Sequence, residues 1–266
     1  MAEPSNTPRA KWPQISDIIP NHDGDRPSAT DALVGLRTYL GGEIQAAIEF
    51  DSDRCAWREN GREELNYEYE ALGLGRRLFF VDAMPVVPNL RSLTMILDLA
   101  LMRALVVEVT FPKPEAAQSA VLARLAATGS QSAVKVRYRQ SGLGTSDASP
   151  FKASGALAGR HLRYTYSATH IYDHIYHSER FYSWFCREGP DKGLGDFEEL
   201  DAFELAARCY LVCWREKLLP CVGIMVEDHQ SMRATGKICG VDAYTGEIGN
   251  SRVGARLEFV ADCAAT

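Results

Sequence analysis

The residues best suited to chemistry in this chain are a glutamate beside a tryptophan and a set of closely spaced tyrosines. Tyr164 and Tyr166 lie in a Tyr-Thr-Tyr run, Tyr172 closes Thr-His-Ile-Tyr, and Glu216 stands two residues after Trp214. On a β-strand, alternate side chains share a face. One face of 169–177 then carries His170, Tyr172, His174 and Tyr176. The same parity groups Tyr182, Trp184 and Cys186 in 180–186, and Tyr210, Val212, Trp214 and Glu216 in 208–216. One consistent choice of faces gathers tyrosines, two histidines, two tryptophans and one glutamate into a single interior. Convergent polar groups on an aromatic wall are the usual form of a small-molecule site.

Two environments fit Glu216. Enclosed by Trp214 and tyrosines, its carboxyl loses solvation and its pKa rises towards neutrality, which suits a proton donor. Alternatively it is a salt-bridged or solvent-facing residue at a strand end. Tyr164 and Tyr166 either orient a substrate through their hydroxyls or fill a core with those hydroxyls satisfied. The catalytic set read from these residues is Glu216, Tyr164, Tyr166 and His170. The substrate-binding set is Tyr172, His174, Tyr176, Tyr182, Trp184 and Trp214. No metal is assigned: His170 and His174, four apart on a strand, lie about 13 Å from each other, too far to share one ion.

The elements that must position these groups are short β-type runs separated by turn residues. The spacing predicts strands at 36–40, 43–50, 54–58, 65–71, 77–83, 92–99, 103–111 and 133–140. A second set follows at 160–167, 169–177, 180–186, 197–203, 208–216, 221–228, 234–240 and 252–260. Only 114–127 reads as helical, opening on Pro114-Glu115, with Val121, Leu122 and Leu125 as its apolar face. The two sets match in order, which signals an internal duplication. Leu33-Val34-Gly35 answers Leu157-Ala158-Gly159, and Trp57 answers Trp184. Leu78–Val81 answers Tyr210–Cys213, with Pro88 and Pro220 following. Met102-Arg103-Ala104 answers Met232-Arg233-Ala234, and Val134–Tyr138 answers Val253–Leu257. On this register Tyr164, Tyr166 and Tyr172 correspond to Leu40, Gly42 and Ile48, so the first copy has a more apolar interior. Asp82, near the counterpart of Glu216, reads there as a strand-end turn residue.

The fold expected is all-β: two tandem eight-stranded antiparallel barrels of lipocalin (calycin) type with one short connecting helix. Eight strands closed on themselves leave room for packed side chains or one small ligand, and closure removes exposed edges. Residues 1–30, rich in Pro, Asn, Asp and Ser, form a flexible arm with Trp12 docked. Residues 31–150 form a structural or lid barrel, and 151–266 the barrel with the site.

A net charge of −6 without a basic run argues against nucleic acid. The longest apolar stretches, Leu93–Leu101 and Ala104–Val107, fall well short of a bilayer span. The polar, proline-spotted start does not read as a signal peptide, so a cytoplasmic protein is expected. Seven cysteines, an odd number with no C-x-x-C pair, argue against a disulfide framework or a cysteine zinc site and read as small core residues.

The second half also carries family motifs: Tyr164-Thr165-Tyr166, Thr169-His170-Ile171-Tyr172, Glu179–Trp184, Lys192–Asp196, Trp214–Lys217 and Thr235–Ile238. With these the chain from about residue 30 resembles the molybdenum cofactor biosynthesis protein F family. That name implies molybdopterin work, yet the sequence has neither a phosphate-cradling glycine loop nor a basic cluster for a pterin phosphate. Gly159 to Gly240 is also similar to the start of bacterial phenolic acid decarboxylases, which are lipocalin-like barrels. That resemblance implies cofactor-free proton transfer to a double bond, with Glu216 as donor and Tyr164, Tyr166 and Tyr172 holding the substrate's ends. The family's catalytic arginine follows a glycine where this chain reads Gly193-Leu194-Gly195-Asp196, leaving Arg187 and Arg215 as substitutes. The function expected is a cofactor-independent enzyme acting on an aromatic or polyketide-like molecule, decarboxylase-like, with an isomerase or cyclase of secondary metabolism as the alternative. A non-catalytic lipocalin-like binding protein needs the same barrel without the donor. The partner expected is a small-molecule substrate, with no nucleic acid or membrane, and a homodimer is left open.

Overall fold

A computed structural model describes residues 25–87, 89–144, 148–242 and 246–262, so Trp12, Pro88 and Cys263 lie outside the described residues, as does most of the expected arm. The first sheet runs β1 (Arg37–Leu40), β2 (Ala46–Phe50), β3 (Arg54–Glu59), β4 (Leu65–Gly73), β5 (Leu78–Pro85), β6 (Arg91–Asp98), β7 (Arg103–Thr110) and β8 (Lys135–Gly142). Each strand pairs antiparallel with the next. The Leu40–Leu143 bridge and the Gly144 N–Tyr39 O hydrogen bond of 2.7 Å nearly close it. After the two-residue β9 (Lys152–Ala153) the second sheet runs β10 (Arg160–Ser167), β11 (His170–Tyr176), β12 (Phe181–Glu188) and β13 (Gly195–Ala206). It continues through β14 (Cys209–Arg215), β15 (Cys221–Asp228), β16 (Arg233–Val241) and β17 (Ile248–Asp262). Strand β10 pairs with β17 and β12 with β13, which closes this barrel.

The duplication is legible in the backbone. Gly35 N bonds Phe50 O as Gly159 N bonds Tyr176 O, and Leu99 N bonds Arg77 O as His229 N bonds Arg208 O. Leu143 N likewise bonds Met102 O as Leu257 N bonds Met232 O, with both methionines at positive φ. These pairs correct parts of the sequence register. Leu78 is the counterpart of Cys209, not Tyr210, and Leu143 that of Leu257, which slides the last match by five positions. Tyr172 answers Ala46 while His174 answers Ile48, because Leu40 pairs with Ala46 as Tyr164 pairs with Tyr172. A slip of one residue exchanges the two faces of a strand, so the Leu78 correction decides which side chains face inward.

Three apolar clusters follow from this alternation. One fills the first barrel around Leu40, Ile48, Phe50, Trp57 and Leu97. One lines the second, with Tyr164, Tyr166, Tyr176, Tyr182, Leu200, Val212, Trp214 and Met225. The third joins the outer faces of both: Phe80, Ile96, Leu105 and Val107 meet Leu211, Cys213, Val222, Ile224 and Cys239. Strands with both faces buried read as continuous apolar runs, as β14 and β15 do. Asp82 is accordingly not a turn residue. It lies within β5, buried between the barrels, with its Oδ1 2.6 Å from Lys237 Nζ and its Oδ2 2.7 Å from Asn250 Nδ2.

The helical segment is two short helices, α1 (Pro114–Ala117) and α2 (Val121–Thr128). Leu122 and Leu125 are exposed, so the expected apolar face does not seat the helix. Arg124 does: its guanidinium reaches the carbonyls of Ser119, Gln131 and Lys217, the last on the second barrel. Ser130 Oγ and Gln131 N then bond Glu199 at 2.9 and 2.7 Å. No helix among the described residues is long and apolar enough to cross a membrane.

Candidate functional site

Alternation on β10, β11, β12 and β14 turns Tyr164, Tyr166, Tyr172, His174, Tyr176, Tyr182, Trp184 and Trp214 into the second barrel. His174 sits at the centre. It stacks on Tyr164 at 4.0 Å between centroids and lies 5.2 Å from Tyr182 and 5.6 Å from Trp214. Burial pushes its pKa down to about 4, so it is neutral, and its Nδ1 is buried without a hydrogen-bond partner. Tyr172 and Trp184, 6.2 Å apart, are half-buried and mark the end of the barrel nearer solvent.

At that end Glu216, just past β14, turns its carboxyl against Glu198 of β13. The residue as a whole is partly exposed, but Trp214 Nε1 donates to its Oε1 at 3.2 Å and Glu198 faces it. Glu198 is wholly buried; its Oε2 accepts from Lys217 N at 2.9 Å. Burial raises the pKa of both carboxyls, and the Glu216 charge raises that of Glu198 further. Two carboxylates in contact in a poorly solvated site cannot both ionise, so one proton lies between them. Trp184 Nε1, also buried, points at this pair and opposes the rise in the Glu216 pKa. Of the two environments open to Glu216, the structure has the enclosed one.

Gly223 makes this arrangement possible. It pairs with Trp214 across β14 and β15, and a Cβ there would fall 2.0 Å from the indole, so the ring lies flat over the glycine.

His170 is buried near the Tyr172 end of the barrel. Its Nδ1 is 3.1 Å from Ser167 Oγ and 3.0 Å from Thr169 Oγ1, which holds it to the β10–β11 turn. Neither substitute arginine enters the barrel. Arg187 Nε bonds Asp173 at 2.5 Å on the outer face, and Arg215 is committed to Asp201 and Glu199 beneath the helical segment. Among the described residues no three metal-ligating side chains come together.

At the opposite end lies a cluster that sequence reasoning missed. Glu227 is wholly buried; its Oε1 accepts from both Tyr164 and Tyr176, and its Oε2 lies 2.6 Å from His229 Nε2. Arg160 Nη1 is 3.1 Å from His229 Nδ1. Burial raises the pKa of Glu227, but the hydrogen bonds from His229, Tyr164 and Tyr176 outweigh it and hold the carboxyl below its ordinary value. The sequence reading did not single out Glu198 or Glu227. The available signal was parity: Glu198 is in phase with inward Leu200 and Ala202, and Glu227 with inward Met225.

The chain has recognisable relatives. Residues 151–263 match the MoaF C-terminal domain model and residues 10–113 the MoaF N-terminal domain model. Protein MoaF of Klebsiella aerogenes is 32% identical over 224 residues, covering 83% of this chain and 82% of that protein. A crystal structure described as a putative beta-lactamase from Burkholderia vietnamiensis overlaps 39% of this chain and 95% of its own, at 17% identity and a TM-score of 0.33. A likeness that slight carries no argument.

Proposed function

This chain belongs to the MoaF family, and we propose that its second barrel is a cofactor-independent acid–base site for a small aromatic or polyketide-like molecule. The observation that carries the reading is the contact between the Glu198 and Glu216 carboxyls under Trp214. A pair that keeps one proton at neutral pH can deliver it to a carbon or carbonyl oxygen of a conjugated substrate and recover it afterwards. Glu216, oriented by the Trp214 indole, is the donor, and Glu198 holds the balancing charge. Trp184, Tyr172 and Tyr166 supply the flat aromatic wall, and the neutral His174 offers Nδ1 as a polar contact.

Within this class, isomerisation or cyclisation suits the site better than decarboxylation. Gripping a carboxylate calls for a cation, and Arg187 and Arg215 are both spent on outward carboxylates. Templating a reactive conformer needs shape and a few hydrogen bonds. A pterin phosphate does not fit, since Glu198, Glu216 and Glu227 all face this interior and Lys237 is neutralised by Asp82 outside it.

The test is a spectrophotometric screen of the protein against conjugated enones and 4-hydroxycinnamates, with Glu216→Gln run alongside. Turnover should fall by about 10²–10⁴-fold in the variant. A loss under tenfold removes Glu216 from the donor role. Binding without turnover in both proteins makes the barrel a carrier.

A further inference from the structure

The acid–base reading leaves the Arg160–His229–Glu227 chain unused. Its protonation follows from its geometry. A guanidinium carries only donors, so His229 Nδ1, 3.1 Å from Arg160 Nη1, must accept. His229 is therefore the neutral tautomer with its hydrogen on Nε2, and it donates to Glu227 Oε2 across 2.6 Å. Tyr164 and Tyr176 donate to Oε1. Glu227 is thus a carboxylate accepting three hydrogen bonds, its charge balanced through His229 by Arg160.

The fold does not require this network. Leu36 N bonds Leu33 O as Arg160 N bonds Leu157 O, so Leu36 is the counterpart of Arg160. Leu97 and Leu99 are likewise the counterparts of Glu227 and His229; Leu97 lies in the first barrel's core, and Leu36 and Leu99, partly buried, pack against it. The same turns close around leucines in one copy and around a buried polar chain in the other. Buried polar groups that an apolar set can replace need a separate reason to be there.

The consequence falls on the tyrosines. Each phenol has one hydrogen, and both hydrogens go to Glu227. The two oxygens, 3.2 Å apart, retain only lone pairs. We propose that the Tyr164–Tyr176 oxygens form a subsite for a hydrogen-bond donor on the ligand, selecting a neutral phenolic or enolic hydroxyl and rejecting an ether or a carboxylate in the same place. This rests on the reading that the barrel takes a small conjugated molecule, and it specifies the end of that molecule remote from Glu216. A carboxylate brought to these tyrosines would meet acceptors alone, with the Glu227 charge behind them. His174, stacked on Tyr164 with its Nδ1 unbonded, adds a polar contact beside the subsite.

The experiment titrates the full chain with 4-hydroxybenzalacetone and 4-methoxybenzalacetone, following quenching of tryptophan fluorescence. The hydroxyl probe should bind about tenfold more tightly, the worth of one good hydrogen bond. Glu227→Leu/His229→Leu, which installs the first barrel's residues, frees both phenolic hydrogens and should erase or reverse the preference. Should that variant fail to fold, Tyr176→Phe, which removes one acceptor, should reduce the preference severalfold. Equal binding of the two probes by the unmodified protein overturns the subsite and leaves the Glu216 reading standing. A tenfold preference surviving in a folded Leu/Leu variant or in Tyr176→Phe also overturns it. Failure of both probes to bind overturns the subsite together with the reading on which it rests.

Discussion

Glu198 and Glu216 share a proton at the expense of stability, and the sign of that expense can be measured. Their folded pKa values lie above the ordinary glutamate value of 4.5. Below that value both folded and unfolded chains are protonated and the pair is neutral in its effect. As pH rises past it, the unfolded chain releases protons that the folded pair keeps, so stability falls until the folded pair itself titrates. Glu216→Gln removes this drain. The variant should melt at nearly the wild-type temperature at pH 4 and above it at pH 8, by about 2–4 °C for each kcal/mol recovered. Thermal unfolding at the two pH values checks this. A variant equally or less stable than wild type at pH 8 would mean that the carboxyls are not coupled. A residue that weakens the fold and abolishes turnover when neutralised is a functional residue rather than a structural one.

At the scale of elements, the strand order and nearly every strand were legible, because turn residues punctuate short alternating runs. The tyrosine parity on β10 and β11 was legible for the same reason. The Glu227–His229 cluster was not. Glu227 has the parity of Met225 but lies one residue from the strand's end, and the barrel's closure shows that it remains inside. The α2 face was misread because Arg124, an ordinary surface residue by type, is the one that seats the helix. Glycine in a strand signals close approach, and here it is the Trp214 ring that approaches Gly223. Gly223→Ala should therefore displace the indole, cost about 1–3 kcal/mol in stability and release Glu216 from its hydrogen bond. Urea unfolding and near-ultraviolet circular dichroism report the two effects. An unchanged tryptophan signal would show that Trp214 has room the structure does not give it. Docking by α2 makes a parallel prediction: Arg124→Ala frees the Lys217 carbonyl beside Glu216, so it should lower turnover severalfold while leaving the overall melting temperature within a few degrees.

For the whole molecule, the question is what holds two barrels as one body. The apolar interface of Phe80, Ile96, Leu105, Leu211, Val222 and Ile224 supplies area but little orientation. Orientation comes from Lys237 of β16. Its ammonium is wholly buried, between Asp82 Oδ1 at 2.6 Å, Ser92 Oγ at 2.6 Å and Leu93 O at 3.3 Å, all from the first barrel. Burial alone would raise the Asp82 pKa, but Lys237, Asn250 and Arg252 overcome this and lower it. That part of the stability is present above the ordinary aspartate value and is lost as pH falls through the folded value, the opposite sense to the Glu198–Glu216 pair. An ion pair of this kind adds little net stability over a well-packed apolar pair, but breaking one half of it leaves a buried charge. Lys237→Met should therefore cost about 3–5 kcal/mol, because the Asp82 carboxylate keeps only Asn250 and Arg252. Asp82→Leu together with Lys237→Met should recover at least half of that loss, a coupling that denaturant unfolding of the two single variants and the double variant measures. Near-additive losses would mean that the pair is incidental and the apolar face alone sets the barrels. Strong coupling would make Lys237 the pin through which the first barrel fixes the wall of the second.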